Sequence, residues 1–424
     1  MNKLLESSAV QLGELIERKE ISSVELTEMH LERIREVNPK LNAVFHLAED
    51  SARQMALAAD KDLARGSRAS PLHGVPFTVK DWIEVAGMPC VANDERYRDH
   101  IPTQHATVVE LMLRAGCVLL GKTSVSDDSP IYGRTYNPYQ LDLSPAGSSS
   151  GEAAIIAAGG SAFGLGSDSG GSIRDPAHAC GIAGLRPTTG RVSVAGHLPR
   201  INTLVDPRTV IGPMARFVED LPMALRFISC SDWRDPSVVW TGSGHWKHVD
   251  PLRLCGAFYS HYPGGSPTPD CGRVAEETAE LLRGLGVSIC EALPGRIDES
   301  LPITRAYWSR AGSEGLEDEW APDGEGQMTG AGGGASPLSV GPISALPPCV
   351  HGAVRFHLDS GLRLPGPAAR RKPRRRFILP TLQLGGVSVR CGPSRDFRRW
   401  ATRWDTGRWP AVARPRSFGC CVAD

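Results

Sequence analysis

The chain has 424 residues, of which 41% are hydrophobic and 22% are charged, and its 47 basic side chains balance its 47 acidic ones. This composition excludes wholesale disorder, and no apolar run approaches the roughly 18 residues that a membrane-spanning helix needs. The charged N-terminal segment lacks the apolar centre of a signal peptide, so we expect a cytoplasmic protein that does not bind membranes. The 11 cysteines show no zinc-site spacing, and we expect no metal.

The predicted elements alternate helices with short apolar strands. A capping box at Ser22 and Glu25 begins a helix, and Asn38-Pro39 is expected to end it, because a residue before proline avoids the helical region. Further helices are predicted at about 47–65, 107–114, 151–158, 218 onward and 274–285, and strands at about 74–81, 117–120 and 161–167. This order predicts an α/β fold whose mixed, largely buried central sheet is covered by helices.

The C-terminal region differs from the rest of the chain in charge and texture. From Ala331 onward there are 16 basic and 4 acidic residues, a net charge of +12, so the neutral total leaves −12 on the first 330 residues. Proline and glycine become dense, and helical or strand periodicity fades. We therefore predict a globular domain at 1–320 and an atypical Pro/Gly/Arg-rich region at 321–424 that packs poorly. Its basic block at 370–376 lacks interleaved aromatic residues, so we expect a solvated segment and no nucleic-acid binding.

One motif match and two histidine pairs are predicted not to be ligand sites. Gly116 to Thr123 fits the pattern G-x-x-x-x-G-K-[ST] of phosphate-binding loops, but a helix precedes it and its variable residues favour a buried strand. Lys122 is therefore predicted to be a strand-end lysine. Two histidine pairs lack carboxylate or cysteine partners at metal-site spacing and are predicted to be surface loop residues: His100 with His105, and His245 with His248.

The segment from Ser144 to Pro187 contains two serine-rich turns flanked by glycines. Small residues around a hydroxyl group let a substrate and the backbone approach each other closely. Consecutive N–H groups in the turn 169–172 can converge on one oxygen and stabilise an oxyanion. This arrangement favours Ser172 as a nucleophile for acyl transfer, although one such loop alone could merely turn the chain.

The order of several segments resembles the amidase signature family of serine hydrolases. They read NPKLNAVFHL, GVPFTVKD, HATVVELMLRAGCVLLGKT, YGRTYNP, the glycine- and serine-rich block and GPMARFVEDLPMAL. The resemblance covers roughly residues 1–310 and implies the amidase signature fold with a Ser–cis-Ser–Lys triad. Carried over residue by residue, it implies a triad of Ser172, Ser148 and Lys80 and an oxyanion hole at Ser169, Gly170 and Gly171.

The register of the first serine loop matters because three serines are adjacent. Glu152 anchors the alignment and assigns the bridging role to Ser148, while Ala146 and Ser150 stand where the family usually has glycine. In the second loop, Ser169 stands where an apolar residue is common. The resemblance also implies that Asp168 and Arg174 brace this loop.

The implied mechanism depends on a neutral lysine. A serine hydroxyl is a poor nucleophile at neutral pH and needs a base, and burial can lower the pKa of a lysine enough to supply one. Lys80 would take a proton from Ser148, which would take one from Ser172. Two structural alternatives remain open: Lys80 pairs with Asp81 at the surface, or Ser148 is the N-cap of the following helix.

The leading hypothesis is an amidase that hydrolyses a small carboxylic amide to an acid and ammonia or an amine, without a cofactor. The alternatives are the amidase subunit of a glutamine-dependent amidotransferase, which would need partner subunits, and a family member inactivated by its altered C-terminus. The resemblance also leads us to expect a homodimer. By position, residues 126–131 are expected to line the substrate pocket, where Asp127 and Asp128 would favour basic or polar substrates.

Overall fold

The computed structural model describes residues 3–201, 206, 208–239, 249–261, 267–300, 302–304 and 306, and the backbone of three strands farther along the chain. Its α-helices in this part of the chain are α1 (Ala9–Glu17), α2 (Ser23–Leu41), α3 (Glu49–Ala64), α4 (Thr107–Arg114), α5 (Ser150–Ala157), α6 (Arg174–Ala179), α7 (Asp220–Ile228) and α8 (Pro269–Gly284). None of these described helices is long and apolar enough to cross a membrane.

Three sheets contain the described strands. They are β1 (Val44–Leu47), β2 (Pro76–Lys80), β3 (Val118–Thr123), β4 (Asp128–Ser129), β5 (Gly133–Arg134), β6 (Phe163–Asp168), β7 (Ala183–Gly184), β8 (Val210–Ala215), β9 (Leu254–Phe258), β10 (Ser288–Glu291), β11 (Arg355–Leu358), β12 (Leu382–Leu384) and β13 (Val387–Val389). The central sheet has the order β1-β3-β2-β6-β8-β7-β12-β13. Strand β2 runs parallel to β3 and β6, whereas β8 runs antiparallel to β6 and β7. The prediction of an α/β fold with a mixed central sheet is confirmed.

Helices cover both faces of this sheet. Strands β2, β3, β6 and β8 are buried at every position, as expected for strands enclosed on both sides. Within β3, Leu119 packs with α1, α4 and α7, whereas Val118 and Leu120 pack with α2, α3 and α5 on the other face. The rings of Phe77 and Phe163 stack between β2 and β6 with centroids 5.5 Å apart. This packing fixes the ends of β2 and β6, where the catalytic candidates lie.

A smaller sheet lies later in the chain. Strand β9 pairs in parallel with β10 and antiparallel with β11. Helix α8 packs Ala279 against Leu254, Phe258 and Val287 of this layer. The helix begins at Pro269, earlier than predicted, because Thr268 caps its first turn.

Two details of the N-terminal prediction are wrong. Helix α2 continues through Pro39 to Leu41. Since Pro39 lies in the last turn, its missing N–H costs the helix little, and Asn42 ends it by adopting a left-handed conformation. The side chain of Asn38 then accepts hydrogen bonds from the N–H groups of the two residues after Asn42. The unpredicted strand β1 follows, in the segment between the first two predicted helices.

His100 and His105 lie in loops as predicted, but neither is a freely exposed surface residue. His100 is half-buried with Nε2 2.8 Å from Glu84 Oε1, and His105 Nδ1 is 3.1 Å from the backbone N of Ala86. Both are therefore held in loops by partners that sequence spacing does not reveal. His245 and His248 lie outside the described residues. So does most of 321–424, apart from β11, β12 and β13, and its predicted poor packing stays a prediction.

Candidate active site

Lys80 is the last residue of β2, and its side chain is fully buried. Its Nζ lies 2.7 Å from Ser148 Oγ and 3.1 Å from Ser167 Oγ. The same nitrogen lies 4.1 Å from the centroid of the Trp82 ring. A lysine in this position is surrounded by hydroxyl groups and an aromatic face, which are groups that tolerate a neutral amine.

Burial lowers the pKa of Lys80 from 10.5 to about 7, although the carboxyl groups of Asp168 and Glu152 partly oppose this shift. A large fraction of the side chain is therefore neutral near pH 7 and able to accept a proton, which is the requirement for a general base. The pKa of Glu152 is itself raised to about 8 by burial, against hydrogen bonds from Thr78 and Thr123. Glu152 thus contributes little negative charge at neutral pH.

The alternative pairing of Lys80 with Asp81 is not observed. Asp81 is fully buried, with Oδ1 3.1 Å from the Nζ of Lys122, and its Oδ2 accepts hydrogen bonds from the N–H groups of Val91 and Ala92. Lys122 itself is fully buried within β3. Because it is sealed in the core and paired there, Lys122 cannot serve as a phosphate ligand.

The first serine loop approaches Lys80 from the start of α5. The peptide bond between Gly147 and Ser148 is cis. The Ser148 carbonyl accepts a hydrogen bond from the N–H of Ser126. The residue in the N-cap position of α5 is Ser149, and it makes no capping hydrogen bond. Ser148 is therefore not the helix cap, and its hydroxyl faces Lys80 instead.

The second serine loop follows β6 and is held by a buried carboxylate. Asp168 accepts hydrogen bonds from the N–H groups of Gly171 and Ile173 and from two nitrogens of the Arg174 guanidinium, all at 2.9 to 3.1 Å. Burial alone would raise the pKa of Asp168, but the charges of Arg174 and Arg186 hold it well below its usual range. The carboxylate stays ionised and fixes the turn, in agreement with the bracing role that the resemblance implies.

The geometry of this turn requires glycine at position 171. Gly171 has a φ of +147°, and a Cβ atom there would lie 2.2 Å from Asp175 Oδ2. The Gly171 N–H, which we expected among the oxyanion donors, donates to Asp168. Within the described residues, the N–H groups of Ser169, Gly170 and Ser172 have no hydrogen-bond acceptor. These three donors are available to a ligand.

The two serine loops are joined directly. The N–H of Ser149 donates to the carbonyl of Ser172 with an N–O distance of 3.2 Å. Ser148 and Ser172 are both half-buried, in contrast to the fully buried Lys80. The structure therefore brings together the loops of Ser148 and Ser172, with Lys80 bonded to the first.

The predicted pocket segment, residues 126–131, adjoins the Ser148 loop. Besides the bond from Ser126, Asp127 Oδ2 accepts a hydrogen bond of 2.5 Å from the Ser144 hydroxyl. Asp128 is exposed and begins the short strand β4. The effect of these two carboxylates on substrate choice stays a prediction.

Sequence reasoning missed two polar residues behind Lys80. Ser167 precedes Asp168 in β6, and His197 lies in a loop that pairs with Ile83 across an isolated bridge. His197 Nε2 is 3.0 Å from Ser167 Oγ. No motif marks His197, and only the folding of the 190–200 loop against the residues after β2 brings it near the lysine.

Much of this chain is similar in sequence to known proteins. A sequence model of the family described as Amidase matches residues 25–325. A glutamyl-tRNA(Gln) amidotransferase subunit from Neorickettsia sennetsu is 36% identical over 322 residues, which cover 71% of this chain and 63% of that protein. The corresponding subunit from Anaeromyxobacter dehalogenans is 41% identical over 232 residues, covering 53% of this chain and 46% of that protein. The chain thus spans less than two thirds of the length of these curated relatives.

Solved structures of amide hydrolases are also similar to this chain. Peptide amidase from Stenotrophomonas maltophilia superposes with a TM-score of 0.63 at 29% identity, covering 72% of this chain and 64% of that one. Fatty acid amide hydrolase superposes with a TM-score of 0.62 at 29% identity, covering 69% of this chain and 54% of that one.

Proposed function

The chain belongs to the amidase family, and from this membership we propose that it hydrolyses a carboxylic amide to an acid and ammonia or an amine. One observation carries the proposal: the Nζ of a fully buried lysine whose pKa is lowered to about 7 lies 2.7 Å from a serine hydroxyl in a glycine-flanked loop. Such a lysine can accept a proton at neutral pH and activate a hydroxyl for attack.

The proposed nucleophile is Ser172. Lys80 accepts a proton from Ser148 as Ser148 accepts one from Ser172, whose Oγ forms a bond to the amide carbonyl carbon. The bond between the two serine loops, through the N–H of Ser149, supports their cooperation. Ser148 then gives its proton to the leaving nitrogen as the C–N bond breaks and regains one from Lys80, whose amine is neutral again. Water, deprotonated by the same route, releases the acid from the acyl-enzyme.

The proposed oxyanion hole is built from the second loop. Of the donors expected from the resemblance, Ser169 and Gly170 have N–H groups without an acceptor among the described residues, and the N–H of Ser172 joins them. Gly171 supports the hole by shaping the turn against Asp168. Preorganised N–H donors of this kind stabilise the charge that develops on the carbonyl oxygen in the transition state.

We also propose the domain division at residue 320, which is supported by a family match that ends at residue 325. The substrate is proposed to be a small amide bound next to residues 126–131. A cytoplasmic location, a homodimeric assembly and the absence of nucleic-acid and membrane binding stay predictions from the sequence.

A second candidate is the amidase subunit of a glutamine-dependent amidotransferase. It is favoured by the names of the relatives, which are subunits of glutamyl-tRNA(Gln) amidotransferases. Strict preference for glutamine over other amides, together with binding to partner subunits, would favour this candidate over a free-standing amidase.

The testing experiment is labelling with a fluorophosphonate, followed by intact mass. We expect stoichiometric modification of the wild type, none of Ser172→Ala and slow modification of Lys80→Ala. Ser150→Ala is the matched control, because the Ser150 hydroxyl lies in the same serine loop as Ser148 but donates to the carbonyl of Ala146. A folded wild type that does not react would contradict the proposal and favour the inactivated family member.

A further inference from the structure

A chain of three buried side chains reaches Lys80 from inside the fold. His197, Ser167 and Lys80 are exposed by 2%, 1% and 0%. His197 Nδ1 is 2.9 Å from the carbonyl oxygen of Pro199, His197 Nε2 is 3.0 Å from Ser167 Oγ, and Ser167 Oγ is 3.1 Å from Lys80 Nζ. The mechanism proposed above uses neither His197 nor Ser167.

The chemistry of these atoms fixes the direction of each hydrogen bond. The Pro199 carbonyl can only accept, so His197 carries its proton on Nδ1. Burial lowers the pKa of His197 to about 4, so the imidazole is neutral near pH 7 and its Nε2 can only accept. The Ser167 hydroxyl must therefore donate to Nε2. Its oxygen is then left to accept an N–H from Lys80.

This polarity determines how the amine of Lys80 is oriented. A neutral amine has two N–H bonds and one lone pair. With one N–H directed at Ser167 Oγ and the other toward the Ser167 carbonyl oxygen, 3.5 Å away, the lone pair remains for the Ser148 hydroxyl, 2.7 Å away. We propose that His197 is a positioning residue that, through Ser167, directs the lone pair of Lys80 toward Ser148. The inference rests on the proposed function, because it concerns the base of that same site.

Removing His197 has a specific consequence. Without an acceptor at Nε2, the Ser167 hydroxyl is free to rotate and donate to Lys80, where it competes with Ser148 for the lone pair. The amine then spends part of its time facing the wrong hydroxyl. Since a positioned base contributes roughly 10²- to 10⁴-fold, partial loss of its orientation should slow the reaction of Ser172 by about 10- to 100-fold.

The hydrogen-bonded side chains of His197, Ser167 and Lys80 form a relay, and four other titratable groups act on it. Asp168 and Glu152 act on Lys80, while Arg200 and Asp206 act on His197. None of the proposed substitutions changes these groups. His197 and Ser167 are neutral near pH 7, so their effect is on the orientation of Lys80 more than on the charge around the site.

The test compares rates of fluorophosphonate labelling of Ser172 in four variants across pH. We expect His197→Leu to react about 10- to 100-fold more slowly than wild type at pH 7 and His197→Gln, which keeps an acceptor, to recover part of the rate. Ser167→Ala should react faster than His197→Leu, and adding His197→Leu to Ser167→Ala should cause no further loss. This order follows because His197 acts only through the Ser167 hydroxyl.

The matched control is His30→Leu, which removes another fully buried histidine whose pKa burial lowers to about 4. His30 lies in α2, and none of its described contacts involves Lys80, Ser148 or Ser167. We expect a lower melting temperature without a slower reaction of the folded protein. Equal slowing in His30→Leu, or additive losses in the double variant, would overturn the inference.

A second measurement separates this inference from the proposed function. The ¹⁵N shifts of His197 report its tautomer whether or not Ser172 reacts. A proton on Nδ1, with an Nε2 shift that changes in Ser167→Ala, supports the relay even if the wild type is not labelled, which would contradict only the proposed function. A proton on Nε2 would overturn the relay, because that atom would then donate to Ser167.

Discussion

Two fully buried lysines lie on neighbouring strands and have different partners. Strands β2 and β3 pair so that Lys80 lies opposite Thr123, one residue beyond Lys122. Lys122 has the carboxylate of Asp81 at 3.1 Å and donates to the carbonyls of Asp81 and Pro89. In the described part of the chain, no carboxylate lies within ion-pair distance of Lys80. The partner, more than the burial, therefore decides whether a lysine supports the fold or can act as a base.

The physical reason is the free energy of a buried charge. Burial disfavours the ammonium form at both positions, and a carboxylate at contact distance offsets that cost for Lys122. Lys80 has hydroxyl groups and an aromatic ring around it and no described carboxylate at contact distance, so the cost of burying its ammonium form is not offset in the same way. One lysine is therefore expected to matter for stability and the other for reactivity.

The largest expected effect is on reactivity. Lys80→Met should slow fluorophosphonate labelling of Ser172 roughly 10²- to 10⁴-fold, the usual contribution of a positioned base. The unfolding free energy at pH 7 should rise, because the substitution removes a buried amine that folding disfavours and no carboxylate loses a partner. Labelling kinetics and urea denaturation of the same samples check both parts. Rapid labelling of Lys80→Met would mean that another group is the base.

The next effect is on stability. Lys122→Met leaves the carboxylate of Asp81 buried without its cation, and breaking a buried pair in this way costs about 3–5 kcal/mol. Urea denaturation should show this loss, and the double variant Lys122→Met/Asp81→Asn should recover part of it. If Lys122→Met lowered the unfolding free energy no more than Lys80→Met does, the two lysines would not differ in their contribution to stability.

A third effect depends on pH. The pKa of Lys80 falls from 10.5 in the unfolded chain to about 7 in the fold, so the unfolded state binds more protons between these values. The stability of wild type relative to Lys80→Met should therefore rise from about pH 7 toward pH 10.5, by at most about 1.4 kcal/mol per pH unit. Denaturation of both proteins at pH 7 and at pH 9 measures this slope. A difference in stability that is independent of pH would contradict the lowered pKa.

The sequence predicts the role of Lys80 better than the ion pair of Lys122. Lys80 was found because it ends an alternating strand within a motif shared by a family, and that strand and its partners form as expected. The ion pair of Lys122 was not found, because Asp81 is 41 residues away along the chain and meets it only through strand pairing. His197 was missed for the same reason: tertiary contacts that close over long separations leave no periodicity in the sequence.

The smallest effect concerns the thiol of Cys90, which lies beside Asp81 and Lys122. Cys90 is fully buried, its Sγ lies 2.7 Å from the carbonyl oxygen of Asp81, and burial raises its pKa to about 12. Since the thiolate is the reactive form, Cys90 should react with iodoacetamide at least about tenfold more slowly than the exposed Cys230 of the same protein.

The two lysine variants turn this thiol into a probe of the comparison. Lys122→Met should loosen the contacts around Asp81 and expose Cys90 to the reagent, whereas Lys80→Met should leave it protected. Peptide mapping after a short pulse of iodoacetamide distinguishes Cys90 from Cys230, which serves as the internal control. Equal protection of Cys90 in both variants would show that the Lys122 pair is not needed to close this part of the core, and its role in stability would have to be sought elsewhere.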